Sequence, residues 1–264
     1  MKSQNFKAVL LAVLTISALG IQSCSNDAER ADIPEEARLS GAELQTVMET
    51  EQWTGAVDET LAELFQNGSS ATAKFADDSC YEATYSESGF TVVFGNCVLN
   101  QSENVNGTLV VTYAMDAQTP SFTATYSGFF VGEAELNGTR SFNLLNYGAE
   151  GFTLTVESEM TVELPDGTFL AESGTKTTTL EFGDTLEEIR FFIEGSWAVT
   201  VQNTVYTVSV GRPLEGNLAC SYLVSGQMDI GKNGLEVLVD FGDGTCDNTA
   251  MVVYPNGATE ELEL

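Results

Sequence analysis

From residue 72 to the C-terminus, hydrophobic and polar side chains alternate along the chain with a period of two. The segment 152–164 is the clearest example, because Phe152, Leu154 and Val156 are interleaved with threonine and glutamate. Such alternation is typical of a β-strand that buries one face and exposes the other. Asn-Gly or Asp-Gly recurs between or near these segments, at positions 67, 106, 137, 166, 233, 243 and 256. Because these dipeptides favour hairpin turns, the pattern predicts an antiparallel β domain of about ten to twelve strands over residues 72–264.

The alternation does not determine how the strands are arranged in space. A meander of this length forms a sandwich or a half-open barrel. The segment 121–131 carries phenylalanine on both faces, which predicts that some strands are covered on both sides. We therefore expect a mainly β fold, in which a large antiparallel sheet is accompanied by a short N-terminal helix that covers one face or one mouth of it.

Residues 40–67 follow a helical pattern instead. Ser40 and Glu43 fit the capping box that begins many helices, and apolar residues recur at helical spacing after them. A Trp-Thr-Gly sequence at 53–55 interrupts this spacing, so the segment is predicted to form two short helices or one kinked helix. Trp53 is expected to pack in the core or between helices rather than to bind a ligand.

The first residues have the features of a secretory signal. Lys2 and Lys7 precede an apolar run over residues 8–19, and small residues follow. The run is too short to span a bilayer, which takes about 20 apolar residues. An Ile-Gln-Ser-Cys sequence then resembles a bacterial lipobox, in which the cysteine, here Cys24, carries the lipid. We predict a lipoprotein signal peptide over residues 1–23 and lipid attachment at Cys24; the alternative is an ordinary signal peptide cut elsewhere.

Residues 24–39 are polar and acidic, contain Pro34 and lack an apolar period. We predict an acidic tether, whose length gives a root-mean-square span of roughly 20 Å. Asp27 and Glu29 resemble the acidic surface-export signal that follows the lipidated cysteine in lipoproteins of Bacteroidota. A simple solvated linker accounts for the same residues.

The five cysteines divide into one lipid-attachment site and two pairs. Cys80 and Cys97 flank a strand-turn-strand unit, and Cys220 and Cys246 flank a second unit of the same kind. Four cysteines permit three connectivities, and the repeated pattern favours the two local disulfides. Disulfides predict an oxidising compartment outside the cytosol.

The charge balance excludes several classes of function. The 264-residue chain has 39 Asp and Glu, 10 Lys and Arg and no His, which gives a formal net charge of −29. Without histidine, no Ser-His-Asp triad, Cys-His pair or His-containing metal site can form. The negative charge repels nucleic acids. Because 43% of the residues are hydrophobic and only 19% are charged, the chain is too apolar to be a disordered acidic protein.

An acidic turn is the sharpest candidate for a metal site. Asp240, Asp243 and Asp247, with Asn248, lie among glycines, and clustered oxygen ligands suit Ca²⁺. Their spacing does not match an EF-hand loop, and Asp-Gly is ordinary turn chemistry. We therefore expect a structural turn beside a disulfide, keep the three aspartates as a weak calcium candidate, and predict no metal and no other cofactor.

Two other kinds of residue are candidates for binding. Trp197 has the side chain to stack on a sugar ring, but its strand spacing with Phe191 favours a core position. Arg140, Arg190 and Arg212 are rare cations in an acidic chain and are predicted to be buried ion-pair partners or anion sites. The 39 acids offer many pairs for glycoside hydrolysis, but no pattern selects one of them. No catalytic residue is predicted.

The C-terminal part of the chain carries a specific motif. Residues 241–248 read Phe-Gly-Asp-Gly-Thr-Cys-Asp-Asn, and a Gly-Arg-Pro-Leu sequence precedes them at 211–214. The pattern resembles exported lipoproteins of Bacteroidota whose activity is unknown, and the resemblance covers residues 80–264. The resemblance implies a β-rich fold and a location at the outer membrane or cell surface, but it implies no activity.

These patterns together lead to an expectation about function. We expect a lipid-anchored β protein of the outer membrane or cell surface that is a non-enzymatic binding or structural component. Its expected partners are the membrane, through the lipid anchor, and a glycan or protein ligand, but not nucleic acid. The alternatives are a carrier of an apolar ligand in a β half-barrel and a carboxylate-based glycoside hydrolase.

Overall fold

The computed structural model describes residues 38–67, 80–99, 102–114 and 119–264. The predicted signal peptide, the lipid attachment at Cys24 and most of the tether lie outside these residues. The helices that the structure describes are all too short or too polar to cross a membrane.

Two short helices begin the described chain, as in one of the two predicted alternatives. Helix α1 spans Gly41–Thr54 and helix α2 spans Asp58–Asn67. The predicted capping box is present, because the Glu43 amide donates to Ser40 Oγ over 3.2 Å and the Ser40 amide donates to Glu43 Oε2 over 2.9 Å. Gly55 caps the C-terminal end of α1 and separates the two helices.

Thirteen strands follow and pair in chain order into one antiparallel sheet that does not close. They are β1 (Tyr81–Ser86), β2 (Gly89–Val98), β3 (Asn104–Tyr113), β4 (Ser121–Val131), β5 (Ala134–Gly148), β6 (Gly151–Glu163), β7 (Phe169–Glu181), β8 (Arg190–Val201), β9 (Thr204–Asn217), β10 (Ser225–Lys232), β11 (Leu235–Asp243), β12 (Thr249–Val253) and β13 (Thr259–Glu263). The mainly β fold class is confirmed. The meander forms a single open sheet rather than the two packed sheets of a sandwich.

Two of the Asn-Gly dipeptides do not form the predicted turns. Asn106-Gly107 lies inside β3, and Asn137-Gly138 lies inside β5. Both glycines have positive φ, and a Cβ atom on Gly138 would approach the carbonyl oxygen of Glu159 to 2.1 Å. These glycines therefore allow neighbouring strands to approach closely.

The sheet has an inner face, which packs against the two helices, and an outer face on the opposite side. Leu61 and Leu64 of α2 belong to a hydrophobic cluster with strands β2 to β7. Leu44 and Val47 of α1 belong to a second cluster with strands β8 to β13. Trp53 packs against the first cluster, as expected. Each helix thus covers one part of the inner face.

The prediction that phenylalanine-bearing strands are covered on both faces is wrong for β4. Phe129 is fully buried on the inner face, whereas Phe130 is 38% exposed on the outer face. The strand register shifts between Tyr126 and Phe129, where Gly128 has positive φ. This bulge keeps Tyr126 and Phe129 both on the inner side.

Both predicted disulfides are present. Cys80 and Cys97 join the start of β1 to β2, with a Cα–Cα distance of 5.2 Å. Cys220 and Cys246 join the segment before β10 to the segment after β11, with a Cα–Cα distance of 5.8 Å. Two disulfides are typical of a periplasmic or extracellular protein.

Candidate functional site

Charged side chains are buried on the inner face, close to where α1 ends and α2 begins. Arg140 on β5 is 1% exposed, Glu172 on β7 is 1% exposed and Lys176 on β7 is 4% exposed. Glu51 of α1 and Asp58 of α2 contact these side chains from the helices. We call these five residues the ion network. Burying charge is costly unless the charges are paired, so the arrangement of the network decides whether the helices can lie on the sheet.

Arg140 joins three of the carboxylates. Its Nη2 donates to Asp58 Oδ2 over 2.7 Å, and its Nη1 donates to Glu172 Oε1 over 3.3 Å. Nη2 also lies 3.7 Å from Glu51 Oε1. The guanidinium therefore ties β5 to β7 and to both helices, and the predicted role of Arg140 as an ion-pair partner is confirmed.

Lys176 is the second buried cation. Its Nζ donates to Glu172 Oε2 over 2.9 Å, contacts Glu51 Oε2, and lies 4.7 Å from the centre of the Trp197 ring. Gly174 lies between Glu172 and Lys176, and a Cβ atom there would meet Trp197 Cα at 2.4 Å. The missing side chain at Gly174 thus lets β8 bring the indole ring against the amine.

Trp197 is a core residue, as its strand spacing indicated. It is 7% exposed and belongs to the second hydrophobic cluster. A ring in this position presents its face to the Lys176 amine, a cation–π contact. The alternative that Trp197 stacks on a sugar ring from solvent is wrong for this structure.

The other two candidate arginines lie at the surface, so the prediction that they are buried is wrong. Arg190 is 47% exposed and lies 3.1 Å from carboxylate oxygens of both Glu181 and Glu215. Arg212 is 51% exposed and lies 3.7 Å from Asp240 Oδ1. Both are ion-pair partners, but exposed pairs of this kind contribute little to stability.

Burial alters proton affinities in the ion network. Burial raises the pKa of Asp58 from 3.8 to about 6, although Arg140 acts in the opposite direction. Burial lowers the pKa of the Lys176 amine well below its ordinary value, while contact with the carboxylates of Glu51 and Glu172 opposes this effect. For Arg140, burial would lower the pKa, but Asp58 and Glu172 outweigh it and the pKa is raised. Arg140 therefore stays charged, and Asp58 takes up a proton as the pH falls through about 6.

Unpaired polar atoms concentrate at the same place. Among the described residues, the buried side-chain atoms without a hydrogen-bond partner are Glu51 Oε2, Asp58 Oδ1, Tyr126 OH, Arg140 Nε and Trp197 Nε1. Three of them belong to the ion network, Trp197 adjoins Lys176, and Tyr126 interacts electrostatically with Asp58 and Arg140. Buried polar atoms are normally paired, so the ion network is the polar region of the described interior whose bonding is least complete.

Asp58 is expected to make stability fall as the pH rises toward neutrality. Its raised pKa means that the folded protein holds a proton which the unfolded chain has already released. From about pH 4 to about pH 6, its contribution to the free energy of unfolding should fall by about 2 kcal/mol. Urea unfolding of the wild type and of Asp58→Asn measures this, because the variant should lack that part of the pH dependence. Equal pH profiles for the two proteins would contradict the raised pKa.

Glu43 acts over a lower pH range that overlaps this one, and its effect has the opposite sign. Burial alone would raise its pKa, but hydrogen bonds from Lys232, Tyr206 and Ser40 lower it from 4.5 to about 2. A lowered carboxyl pKa stabilises the folded state above the unfolded value and loses that effect as the pH falls. Because Glu43 is unchanged in Asp58→Asn, the difference between the two pH profiles isolates the contribution of Asp58.

Each aspartate of the acidic turn accepts hydrogen bonds from the residue two positions later, which stabilises the local turn. Asp243 Oδ1 accepts hydrogen bonds from the amide and hydroxyl of Thr245 over 3.3 and 2.9 Å. Asp247 Oδ1 accepts two bonds from Thr249, each over 3.0 Å. Asp240 Oδ1 accepts a hydrogen bond from the backbone amide of Gly242 over 2.9 Å. Within the described ranges there is no group of three or more residues that could hold a metal ion.

The outer face carries a second candidate site. Phe130, Glu135, Glu163 and Phe169 lie side by side on four consecutive strands, β4 to β7, and form what we call the outer-face row. Phe130 is 38% exposed and Phe169 is 48% exposed. The side-chain amide of Asn137 donates a hydrogen bond to Glu135 Oε1 over 3.2 Å. Two exposed aromatic rings thus flank two carboxylates.

Hydroxyl groups cover the centre of the outer face beside this row. The hydroxyls of Thr123 and Ser141 lie 2.9 Å apart, and those of Thr155 and Thr177 also lie 2.9 Å apart. One line of cross-strand neighbours from β3 to β9 consists of Thr112, Thr123, Ser141, Glu157, Thr175, Ser196 and Ser209. This surface offers many hydrogen-bonding groups to a polar ligand.

Comparison of this chain with protein-family models, with curated proteins and with solved structures gives no match. The ion network and the outer-face row are therefore supported by their own geometry.

The sequence patterns identified only one member of the ion network, Arg140. A signal for two others was available on β7, where Glu172 and Lys176 share the buried phase of the alternation with Leu170. Charged residues at buried strand positions predict internal pairing. The outer-face row had no signal, because its four residues are adjacent only through strand pairing.

Proposed function

We propose that this protein is an exported, lipid-anchored component of the outer membrane or cell surface, and that it binds a glycan through the outer face of its sheet without enzymatic activity. The observation that carries the proposal is the outer-face row, with exposed Phe130 and Phe169 on either side of Glu135 and Glu163. The two disulfides support export. The lipobox at Cys24 supports the anchor.

The outer-face row has the chemistry that carbohydrate requires. Aromatic rings provide flat apolar surface for the apolar faces of sugar rings, and carboxylates accept hydrogen bonds from sugar hydroxyls. Phe130 and Phe169 are three strand spacings apart, about 14 Å, which suits an oligosaccharide or polysaccharide rather than a single sugar. The adjacent hydroxyl-rich surface extends the area that such a chain contacts.

The inner face is less suited to the alternative functions. In a half-barrel carrier an apolar ligand would lie on this face, but here Leu44 and Val47 of α1 and Leu61 and Leu64 of α2 pack on it. A glycoside hydrolase needs two carboxyl groups beside the scissile bond. The carboxylates of the ion network instead contact Arg140 and Lys176 beneath the helices. These contacts favour a non-enzymatic role.

Replacement of either exposed ring is expected to weaken glycan binding. Phe169→Ala and Phe130→Ala should each raise the Kd by about tenfold, or about 1.4 kcal/mol, because each removes an aromatic contact at the centre of the proposed interface. Affinity electrophoresis in gels containing soluble neutral, acidic or amino-sugar polysaccharides measures the change. The wild type should be retarded by at least one of these polymers.

Phe182→Ala is the matched control. Phe182 is 44% exposed, like the two rings of the row, but it follows the opposite end of β7. Its removal should leave retardation unchanged. Wild-type protein that migrates freely in every gel, or equal weakening by all three variants, would exclude the outer-face row as the glycan site.

A further inference from the structure

Lys176 and Glu51 meet under conditions that are rare for a lysine–glutamate pair. Lys176 is 4% exposed, and its Nζ directly contacts Glu51 Oε2. This oxygen is itself buried. The ring of Trp197 closes the site 4.7 Å from the amine. The amine and this carboxyl oxygen are thus held in contact inside the protein, although the Glu51 side chain as a whole is 30% exposed.

Two further residues supply what a condensation between these groups needs. Glu172 Oε2 lies 2.9 Å from Lys176 Nζ and is fully buried, so it can accept a proton from the amine. Arg140 Nη2 lies 3.7 Å from Glu51 Oε1. Its positive charge faces the oxygen on which negative charge develops when the carboxyl carbon is attacked.

We propose that Lys176 and Glu51 become joined by an intramolecular isopeptide bond, an amide between the lysine amine and the glutamate side-chain carboxyl. The bond links α1 covalently to β7. It forms within the folded chain, without an enzyme or a cofactor, and is a site of self-modification separate from the outer-face row.

The reaction balances with the groups present. The Lys176 ammonium passes one proton to the Glu172 carboxylate, and the neutral amine attacks the side-chain carboxyl carbon of Glu51. The N–C bond forms and one C–O bond breaks, while Glu172 returns its proton to the departing oxygen. A second proton from the nitrogen completes a water molecule. One ammonium and one carboxylate become one amide and one water, and no oxidant or activating group is consumed.

The surroundings favour both the rate and the direction of this step. Burial lowers the pKa of the Lys176 amine, which increases the fraction in the nucleophilic neutral form. Groups held in reactive contact behave as though present at about 10⁵ M or more. Exclusion of water disfavours hydrolysis of the product.

Glu51, not Glu172, is the carboxyl group that reacts. Glu172 accepts hydrogen bonds from Arg140, Lys176 and Thr54, so its oxygens are fixed in an arrangement that suits a proton acceptor. Glu51 is held less completely, because Oε1 lies 3.7 Å from Arg140 Nη2 and Oε2 contacts the amine that attacks. The roles of the two carboxylates therefore follow from how each is held.

The mass of the intact wild-type protein tests the proposal. We expect the exported protein, analysed after reduction of its disulfides, to be lighter by one water molecule than the mass calculated for its processed and lipidated sequence. Proteolysis and tandem mass spectrometry should recover one branched peptide that joins residues 51 and 176. Protein with the full mass of its sequence overturns the proposal, as does a branched peptide that maps to another pair.

Variants separate the bond from other causes of a mass deficit. Lys176→Met and Glu51→Ala should each restore the full mass. Lys232→Met is the matched control: Lys232 Nζ lies 2.6 Å from Glu43 Oε1 and also joins α1 to the sheet, but its amine donates to the Arg38 carbonyl oxygen rather than to a second, buried carboxylate. This control should retain the deficit. Loss of the deficit in Lys232→Met, or its persistence in Lys176→Met, overturns the assignment.

Glu172→Gln tests the proton relay. The amide keeps the size of the side chain but cannot accept the proton, so the freshly purified variant should have mainly the full mass. A complete deficit in this variant would show that Glu172 does not relay the proton. The branched peptide of the wild type still decides whether the bond exists.

Discussion

Replacement of Arg140 by methionine is expected to lower the free energy of unfolding by about 4 kcal/mol. The substitution removes the cation that pairs with Asp58 over 2.7 Å and with Glu172 over 3.3 Å, and leaves both carboxylates in the interior without it. Methionine retains much of the arginine stem, so cavity formation contributes little. Urea unfolding followed by tryptophan fluorescence measures the change, because Trp197 is buried beside the ion network.

Arg190→Met is the control for this experiment. Arg190 also contacts two carboxylates, Glu181 and Glu215, but it is 47% exposed. Its replacement should cost less than about 1 kcal/mol, because solvent already screens exposed ion pairs. Similar losses for Arg140→Met and Arg190→Met would show that burial does not determine the energetic importance of these pairs.

A second substitution distinguishes unpaired charge from lost packing. Glu172→Gln in the Arg140→Met background removes one of the carboxylates that the first substitution deprives of the Arg140 charge. The double variant should therefore be more stable than Arg140→Met alone, since the penalty arises from uncompensated buried charge. If the double variant loses the sum of the two single losses, packing rather than charge is responsible.

Removal of the Cys220–Cys246 disulfide is expected to lower the free energy of unfolding by about 3.5 kcal/mol in the chain-entropy account. The bridge joins residues 26 apart in sequence and encloses the β10–β11 hairpin. Without it, the unfolded chain gains conformational freedom that the folded chain does not. Urea unfolding of the Cys220→Ala, Cys246→Ala double variant gives the loss.

The second disulfide provides an internal comparison. Cys80 and Cys97 are 17 residues apart, and their replacement should cost slightly less, about 3 kcal/mol. A reducing agent should destabilise the wild type by more than it destabilises either double variant, because each variant retains only one bridge. No difference between wild type and the Cys220→Ala, Cys246→Ala variant would refute a stabilising role for that bridge.

Local patterns account for much of the fold. The capping box at Ser40 and Glu43 depends on residues three positions apart, and strand alternation depends on residues two positions apart. Both were predicted and both are present. Asn137-Gly138 shows the limit of this approach, because the same dipeptide serves a hairpin turn in one context and close strand contact inside β5 in another. Its role depends on the neighbouring strand, which local sequence does not specify.

The ion network required contacts that local patterns do not contain. Arg140 and Asp58 are separated by 82 residues, and Thr54 and Glu172 by 118. The chain has 39 acidic residues. Local sequence does not distinguish the carboxylates that become buried from those that remain exposed to solvent. Arg140 was identifiable as an ion-pair partner because cations are rare, but its partners were not.

The residues alone therefore specify a β meander with an N-terminal helical segment, two local disulfides and no histidine chemistry, because periodicity, caps and cysteine spacing act over short distances along the chain. The tertiary structure determines which side chains come into contact. Strand register places Phe130 and Phe169 in one row on the outer face, and the helices bring Glu51 to Lys176 on the inner face. Both sites depend on contacts between residues that are distant in sequence, and only the folded chain brings these residues together.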